Sequence, residues 1–267
     1  MPRWTIEKPD QLTFDSVDGV KELGVRIVAG RLALLASDGP PTLEVTEVGS
    51  TPLTVTWEDG RLSVLTWEGV LGWLRPGRHD STLTLTVPKD CRIHAGVISA
   101  SAVLAGFENR TSVKSVSGEI VLDGVSGEIS AETMSGSVES RALTGDLSFT
   151  SVSGELTVAA GTPRRLRANT VSGRITADLE LKPTGHVTLN SVSGAVVVRL
   201  PSGVDTDVTL RSTSGTIETA FDGLTYNGRP GGRSVTGRLG GGMASLSVTT
   251  VSGGVTLLRG EPRGGEK

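Results

Sequence analysis

The chain has 267 residues, a formal net charge of −3, 36 glycines, one cysteine and only 3% aromatic residues. A balance of 26 basic against 29 acidic side chains excludes the electrostatic footprint of a nucleic-acid binder or of a protein held on an anionic membrane. A lone Cys91 excludes an internal disulfide and suits a reducing compartment.

Residues 1–10 contain no apolar stretch followed by a small-residue cleavage site, and no segment approaches the roughly 18 apolar residues that span a bilayer. The expectation is a soluble cytoplasmic protein with no direct membrane insertion. Gly, Val, Thr and Ser recur throughout and no amphipathic helix stands out, so the composition favours short strands and tight turns. The fold class expected is all-β: a β-solenoid of stacked strand repeats with a less regular antiparallel N-terminal β region.

Gly30-Arg-Leu-Ala-Leu and Gly60-Arg-Leu-Ser-Val echo a phrase that dominates the later chain. Leu53–Glu58 and Arg61–Trp67 flank Asp59-Gly60, a pair that supplies the two positive φ angles of a type I′ turn, and so predict a hairpin over 53–67. Three of the four tryptophans, Trp57, Trp67 and Trp73, crowd this region. Thr82–Pro88 is an alternating strand that its proline ends. Residues 1–90 therefore read either as a degenerate cap of one stack or as a small separate sandwich. Residues 91–259 read as the repeat region and 260–267 as a disordered tail.

The phrase appears as VSGEI at 116–120 and 125–129, MSGSV at 134–138, LTGDL at 143–147 and VSGEL at 152–156. Its glycines, Gly118, Gly127, Gly136, Gly145 and Gly154, fall nine residues apart. It returns around Gly173, Gly194, Gly215, Gly237 and Gly253 at wider spacing. The residues two before and two after each glycine are mostly apolar, as in Val116 and Ile120 or Val152 and Leu156, a period of two that places both on a buried face.

All ten glycines read as structural corners, where a side chain would block close approach or positive φ is needed. The Ser or Thr before each reads as a partner for backbone groups freed by the bend. Two nine-residue units make an 18-residue coil with the phrase at both ends. Further on, one corner keeps the phrase while the other takes insertions at 161–165, 182–185, 201–207 and 222–232. On this reading Val152→Asp places a charge in the interior and costs several kcal/mol.

Together with the VAGRLAL strand at 28–34 and the TLTVPKD strand at 84–90, the tandem phrases resemble the bacterial putative-adhesin β-strand-repeat proteins, the toastrack family. The resemblance spans nearly the whole chain and is most specific in the repeats. It implies a solenoid-like stack with no known catalytic site, and a role as an assembly surface beside membrane-associated envelope-stress components. The absence of an export signal fits the adhesin label poorly.

The residues offer little chemistry. His79, His94 and His186 lie far apart without metal-ligand spacing, so neither a metal nor a cofactor is expected. The serines beside glycine form no GxSxG elbow, and no histidine is placed to activate them. Gly231-Gly232 and Gly240–Gly242 fit neither a P-loop nor a dinucleotide fingerprint. Asn109-Arg110-Thr111 matches a glycosylation acceptor by chance, and Arg164, Arg165 and Arg167 read as a solvated loop.

Four carboxylates follow corner glycines: Glu119, Glu128, Asp146 and Glu155. With 18 residues per coil, Glu128 and Asp146 would stack about 4.8 Å apart, near the roughly 5–5.5 Å of a retaining glycosidase. Glu119 and Glu155, two coils apart, would approach the inverting separation. Without aromatic platforms or a cleft, these read as solvated residues that discourage edge pairing. The function expected is a non-catalytic scaffold for protein partners, with end-to-end self-association open to it and no catalytic residue; the alternatives are a carbohydrate-active β-helix or a surface adhesin.

Overall fold

The computed structural model describes residues 2–14, 19–66, 80–229 and 231–261, and all regular structure among them is β. Trp67, Trp73, His79 and the tail beyond 261 lie outside the described residues. The chain divides into two compact units between Gly136 and Ser137.

The first unit opens with β1 (Arg3–Ile6), β2 (Asp10–Thr13), β3 (Glu22–Ile27), β4 (Ala29–Ala36), β5 (Thr42–Glu47), β6 (Leu53–Glu58) and β7 (Arg61–Leu65). It continues with β8 (Asp80–Val87), β9 (Arg92–Val97), β10 (Ser101–Ala105), β11 (Thr111–Ser115), β12 (Ile120–Asp123) and β13 (Glu128–Thr133). One wall runs β1-β6-β7-β3-β9-β11-β13. The other runs β2-β5-β8-β4-β10-β12.

Pairing is parallel from β7 and β8 onward, whereas β1, β2, β5 and β6 join by antiparallel contacts. The hairpin expected over 53–67 is present as β6 and β7, with Asp59 at φ 48° and Gly60 at φ 77°. Trp57 and Trp4 pack on the buried Phe14, with ring centroids 5.1 and 5.8 Å away. Parallel stacking already includes β3 and β4, well before residue 91.

In the second unit come β14 (Val138–Arg141), β15 (Thr144–Ser151), β16 (Leu156–Thr170), β17 (Ile175–Leu179), β18 (His186–Ser191) and β19 (Val196–Pro201). They are followed by β20 (Thr206–Ser212), β21 (Ile217–Thr219), β22 (Thr225–Arg229), β23 (Gly232–Leu239), β24 (Ala244–Thr250) and β25 (Val255–Gly260). Strand β16 is long enough to turn the edge and serve both walls. The walls run β15-β16-β18-β24-β20-β23-β22 and β14-β16-β17-β19-β25-β21.

Between the walls, every second side chain enters the core. Leu156, Ile175, Val196 and Val255 form one cross-strand row, each 1% exposed or less. In the first unit Leu32, Ala102 and Ile120 do the same, with Ile129 buried on the other wall. Residues 18 apart pair at β11 and β13 (Val113 with Ala131), and the offset grows to 21 at β17 and β19 (Ile175 with Val196). The extra residues enter at the edge that loses the phrase.

Two kinds of corner carry that phrase. In the first unit Gly118 and Gly136 lie along one edge, and in the second Gly154, Gly173, Gly194, Gly215 and Gly253 do, where a β-carbon on Gly173 would stand 1.9 Å from the carbonyl oxygen of Gly154. Close approach, with no positive φ, is what that position demands. Gly127 in the first unit and Gly145 in the second are the other kind, with φ of 82° and 91°, the left-handed region that glycine enters without penalty. Gly237 is no corner: it sits within β23 opposite Val208, and a β-carbon there would meet Leu224 at 2.8 Å. Arg164, Arg165 and Arg167 are likewise strand residues of β16 and not a loop.

The two kinds of corner also correct the inward assignment of the residue before Ser-Gly. Val125 and Leu143 are buried, but Val116, Met134, Val152, Val171, Val192 and Val251 are 43–58% exposed. Val152→Asp is therefore expected to change unfolding free energy in urea by no more than about 0.5 kcal/mol, as for other surface substitutions. Leu156→Asp, four residues on, is expected to cost on the order of 3 kcal/mol or more. Gly173→Ala should destabilise as severely as Leu156→Asp, because the obstruction is backbone and cannot swing aside.

Candidate functional site

At the corners of the first kind the chain follows a four-residue rule: a buried Ser or Thr, an outward Val (Met134 and Thr213 in two of them), an outward Ser and a buried Gly. The buried hydroxyls are Ser115 and Thr133 in the first unit and Ser151, Thr170, Ser191, Ser212 and Thr250 in the second. Most accept a hydrogen bond from the backbone N–H of the corner glycine, as from Gly136 to Thr133 at 2.8 Å and from Gly154 to Ser151 at 2.7 Å. Buried polar groups need such partners. This row of hydroxyls is absent from the sequence reading, though its signal was available: a polar residue recurs three before the glycine.

The serine next to each glycine faces outward. Ser172 donates to the Val152 carbonyl at 3.4 Å and Ser193 to the Val171 carbonyl at 3.3 Å, each reaching the neighbouring coil. These hydroxyls clamp one coil to the next, whereas the sequence suggested a partner within the same bend. The valines between them form an exposed aliphatic ridge, Val152, Val171, Val192 and Val251 in stacking order, with backbone hydrogen bonds joining consecutive coils. Thr213 takes the next place on that edge.

The four acidic positions are spent on charge pairs or solvent. Glu128 meets Arg110 at 3.1 Å, and Asp146 holds Arg164, with Arg165 3.7 Å away. Glu119 and Glu155 are exposed. A glycosidase needs one carboxyl to act as an acid and another as a base or nucleophile, whereas Glu128 and Asp146 are each engaged by an arginine. Two open clefts of about 600 Å³ lie in the second unit, one beside the Asp178–Arg199 pair and one beside Arg211 and Arg233.

His94 lies in β9 and His186 in β18, and among the described residues no group of three or more His, Cys, Asp or Glu side chains could hold a metal. His186 does meet a serine: Nδ1 lies 2.7 Å from Ser245 Oγ across β18 and β24. The sequence separation of 59 residues concealed that contact. The pair sits on an exposed outer wall in a row with Arg165 and Asp207, and no hydrogen bond orients the other imidazole nitrogen among the described residues. A nucleophile and base need such an orienting group and oxyanion donors.

A match to the family model described as Toastrack DUF4097 covers residues 44–258, and the chain belongs to that family. Solved structures similar to it include a "putative adhesin" from Bacteroides fragilis, 11% identical, with a TM-score of 0.45 and coverage of 95% of this chain and 97% of the other. A "putative adhesin" from Parabacteroides distasonis is 13% identical at the same coverage and TM-score. A "putative lipid binding protein" from the same organism is 11% identical, with a TM-score of 0.39 and coverage of 96% and 98%. No curated protein matches the chain.

Cys91 is fully buried, and burial, followed by the nearby charges of Asp90 and Glu22, pushes its thiol up to about 12. The reactive species is the thiolate, so Cys91 should resist iodoacetamide at pH 8 in the native protein and react once the chain is unfolded in urea. The raised value also sets a sign. The unfolded chain gives up this proton near pH 9 and the folded one near 12, so the thiol's contribution is present below pH 9 and stability should decline between those limits.

Proposed function

We propose that this chain is a non-catalytic β-repeat scaffold that engages a protein partner along the ridge of its phrase edge. The observation that carries this reading is the identity of the outward corner residue. Thr213 occupies the same place as Val152, Val171, Val192 and Val251, so the turn itself does not require an aliphatic side chain. A half-exposed valine nevertheless recurs in four neighbouring coils.

Exposed apolar surface of this kind, rimmed by the clamping serines, suits contact with another protein. The stiff stack holds its valines at the strand spacing of about 4.8 Å, so a partner pays little to order them. Paired carboxylates and open outer walls favour this reading over a carbohydrate-active enzyme. The family resemblance directs the search for the partner to bacterial envelope-stress assemblies.

The test is site-specific photo-crosslinking in the native cell. A crosslinker at Val171 should capture one discrete partner, whereas one at Thr188, on the outer wall of β18, should not. Val171→Lys should remove the same partner from affinity purifications without lowering stability. Equal capture from both positions, or an unchanged partner profile in the lysine variant, would sink the ridge as the contact surface.

A further inference from the structure

Strand interiors seldom hold glycine, which packs nothing and loses the most backbone freedom on folding. In the first unit Gly24 and Gly96 stand within β3 and β9 with no structural demand on them. Neither has a positive φ. A β-carbon on Gly24 would come no closer than 3.9 Å to Ser63 Oγ, and one on Gly96 no closer than 3.5 Å to Arg26 Cγ. Both positions have room for a side chain.

The register supplies a reason. Across β7, β3, β9, β11 and β13 one outward row reads Ser63, Gly24, His94, Ser112, Ser130. On one side of it lie Arg61, Glu22 and Arg92, and on the other Arg26, Lys114 and Glu132. Ser63, Gly24, Ser112 and Ser130 thus leave His94 as the one large side chain on the floor of a trough whose flanking rows are long and charged, except where Gly96 sits between Arg26 and Lys114. A depression of about 290 Å³ opens there, lined by Glu22, Arg26, Arg61, His94, Ser112 and Lys114.

The charges in that trough do not cancel. Glu22 is shared between Arg61 at 3.2 Å and His94 at 3.8 Å, and Lys114 turns outward to Glu132 at 2.9 Å. Arg26 has no carboxylate partner among the described residues. With Arg61 paired to Glu22 and Lys114 to Glu132, Arg26 is the permanent cation left over in the lining, on a chain whose net charge is −3.

We propose that this trough binds a phosphate monoester group. The Arg26 fork presents parallel N–H donors to an oxyanion, with the Ser112 hydroxyl and the His94 imidazole on the same floor. Three terminal oxygens and a charge of about −1.5 to −2 at neutral pH answer both the donors and the positive excess better than a carboxylate does. The glycines let the group settle onto the backbone. The phosphate arrives either on a lipid headgroup or on a small soluble ester, and the trough recognises the chemistry common to both.

The full chain is tested by calorimetric titration with glycerol 3-phosphate, and by co-sedimentation with phosphatidic acid vesicles against phosphatidylcholine vesicles. Saturable, salt-sensitive binding is expected in at least one assay; the first identifies a soluble ester as the source and the second a headgroup. Arg26→Ala should weaken it at least tenfold, while Arg167→Ala in the second unit should leave it unchanged. Gly24→Thr should abolish binding yet hold or raise the melting temperature, because threonine suits a strand interior; a purely structural glycine would not give that combination. Absence of binding in both assays, equal affinity for glucuronate, or binding that survives Arg26→Ala and Gly24→Thr would overturn the proposal.

Discussion

Each coil of the second unit rests on its neighbour through a corner with no space for a β-carbon: the position that carbon would occupy on Gly173, Gly194 and Gly253 lies 1.9–2.1 Å from the carbonyl oxygen of the adjoining corner. Strands in a parallel wall sit about 4.8 Å apart, and a bend can keep that spacing only if the turning residue is bare. At Gly173 and Gly253 the buried hydroxyl three residues earlier then accepts from the glycine N–H, and the adjacent serine ties the bend to the next coil. Burial of the aliphatic rows supplies most of the favourable free energy, but those rows align only because the corners superimpose.

The same bend explains how much of the fold was legible. Alternation of period two placed Ile120, Ile129, Leu156 and Ile175 in the core, where they are. Carried through the corner, it failed. Between Ser151 and Gly154 both Val152 and Ser153 face outward, so the chain takes two outward steps in succession and the alternation slips by one. At the other kind of corner the two outward steps come before the phrase, at Asp123 and Gly124, which leaves Val125 inside. The sequence does distinguish the cases: Ser or Thr stands three before the glycine at the first kind, and Gly124 or Ala142 at the second, both with positive φ.

Contacts between distant segments were less accessible. Nothing in a linear reading places His186 against Ser245, or Gly24 in line with His94 and Ser112, because those juxtapositions depend on which coil neighbours which. Spacing did suggest that acidic residues would rise along the outer walls. It could not reveal that Arg110 and Arg164 meet Glu128 and Asp146, since the arginines reach across from neighbouring strands. Local chemistry was readable wherever a motif closed on itself, and long-range chemistry followed only from the register.

The order of stacking in the second unit departs from the order of synthesis. The layer of β24 and β25 lies between that of β18 and β19 and that of β20 and β21, so the earlier strands must leave a vacancy one layer wide until the chain returns to fill it. Like the keystone of an arch, this final layer bridges two faces that have no direct pairing of their own. A nascent chain halted before residue 244 would hold two unsatisfied β edges facing one another, each a template for the wrong strand. Strands β24 and β25 are thus the ones that join the two faces of the second unit through continuous backbone pairing.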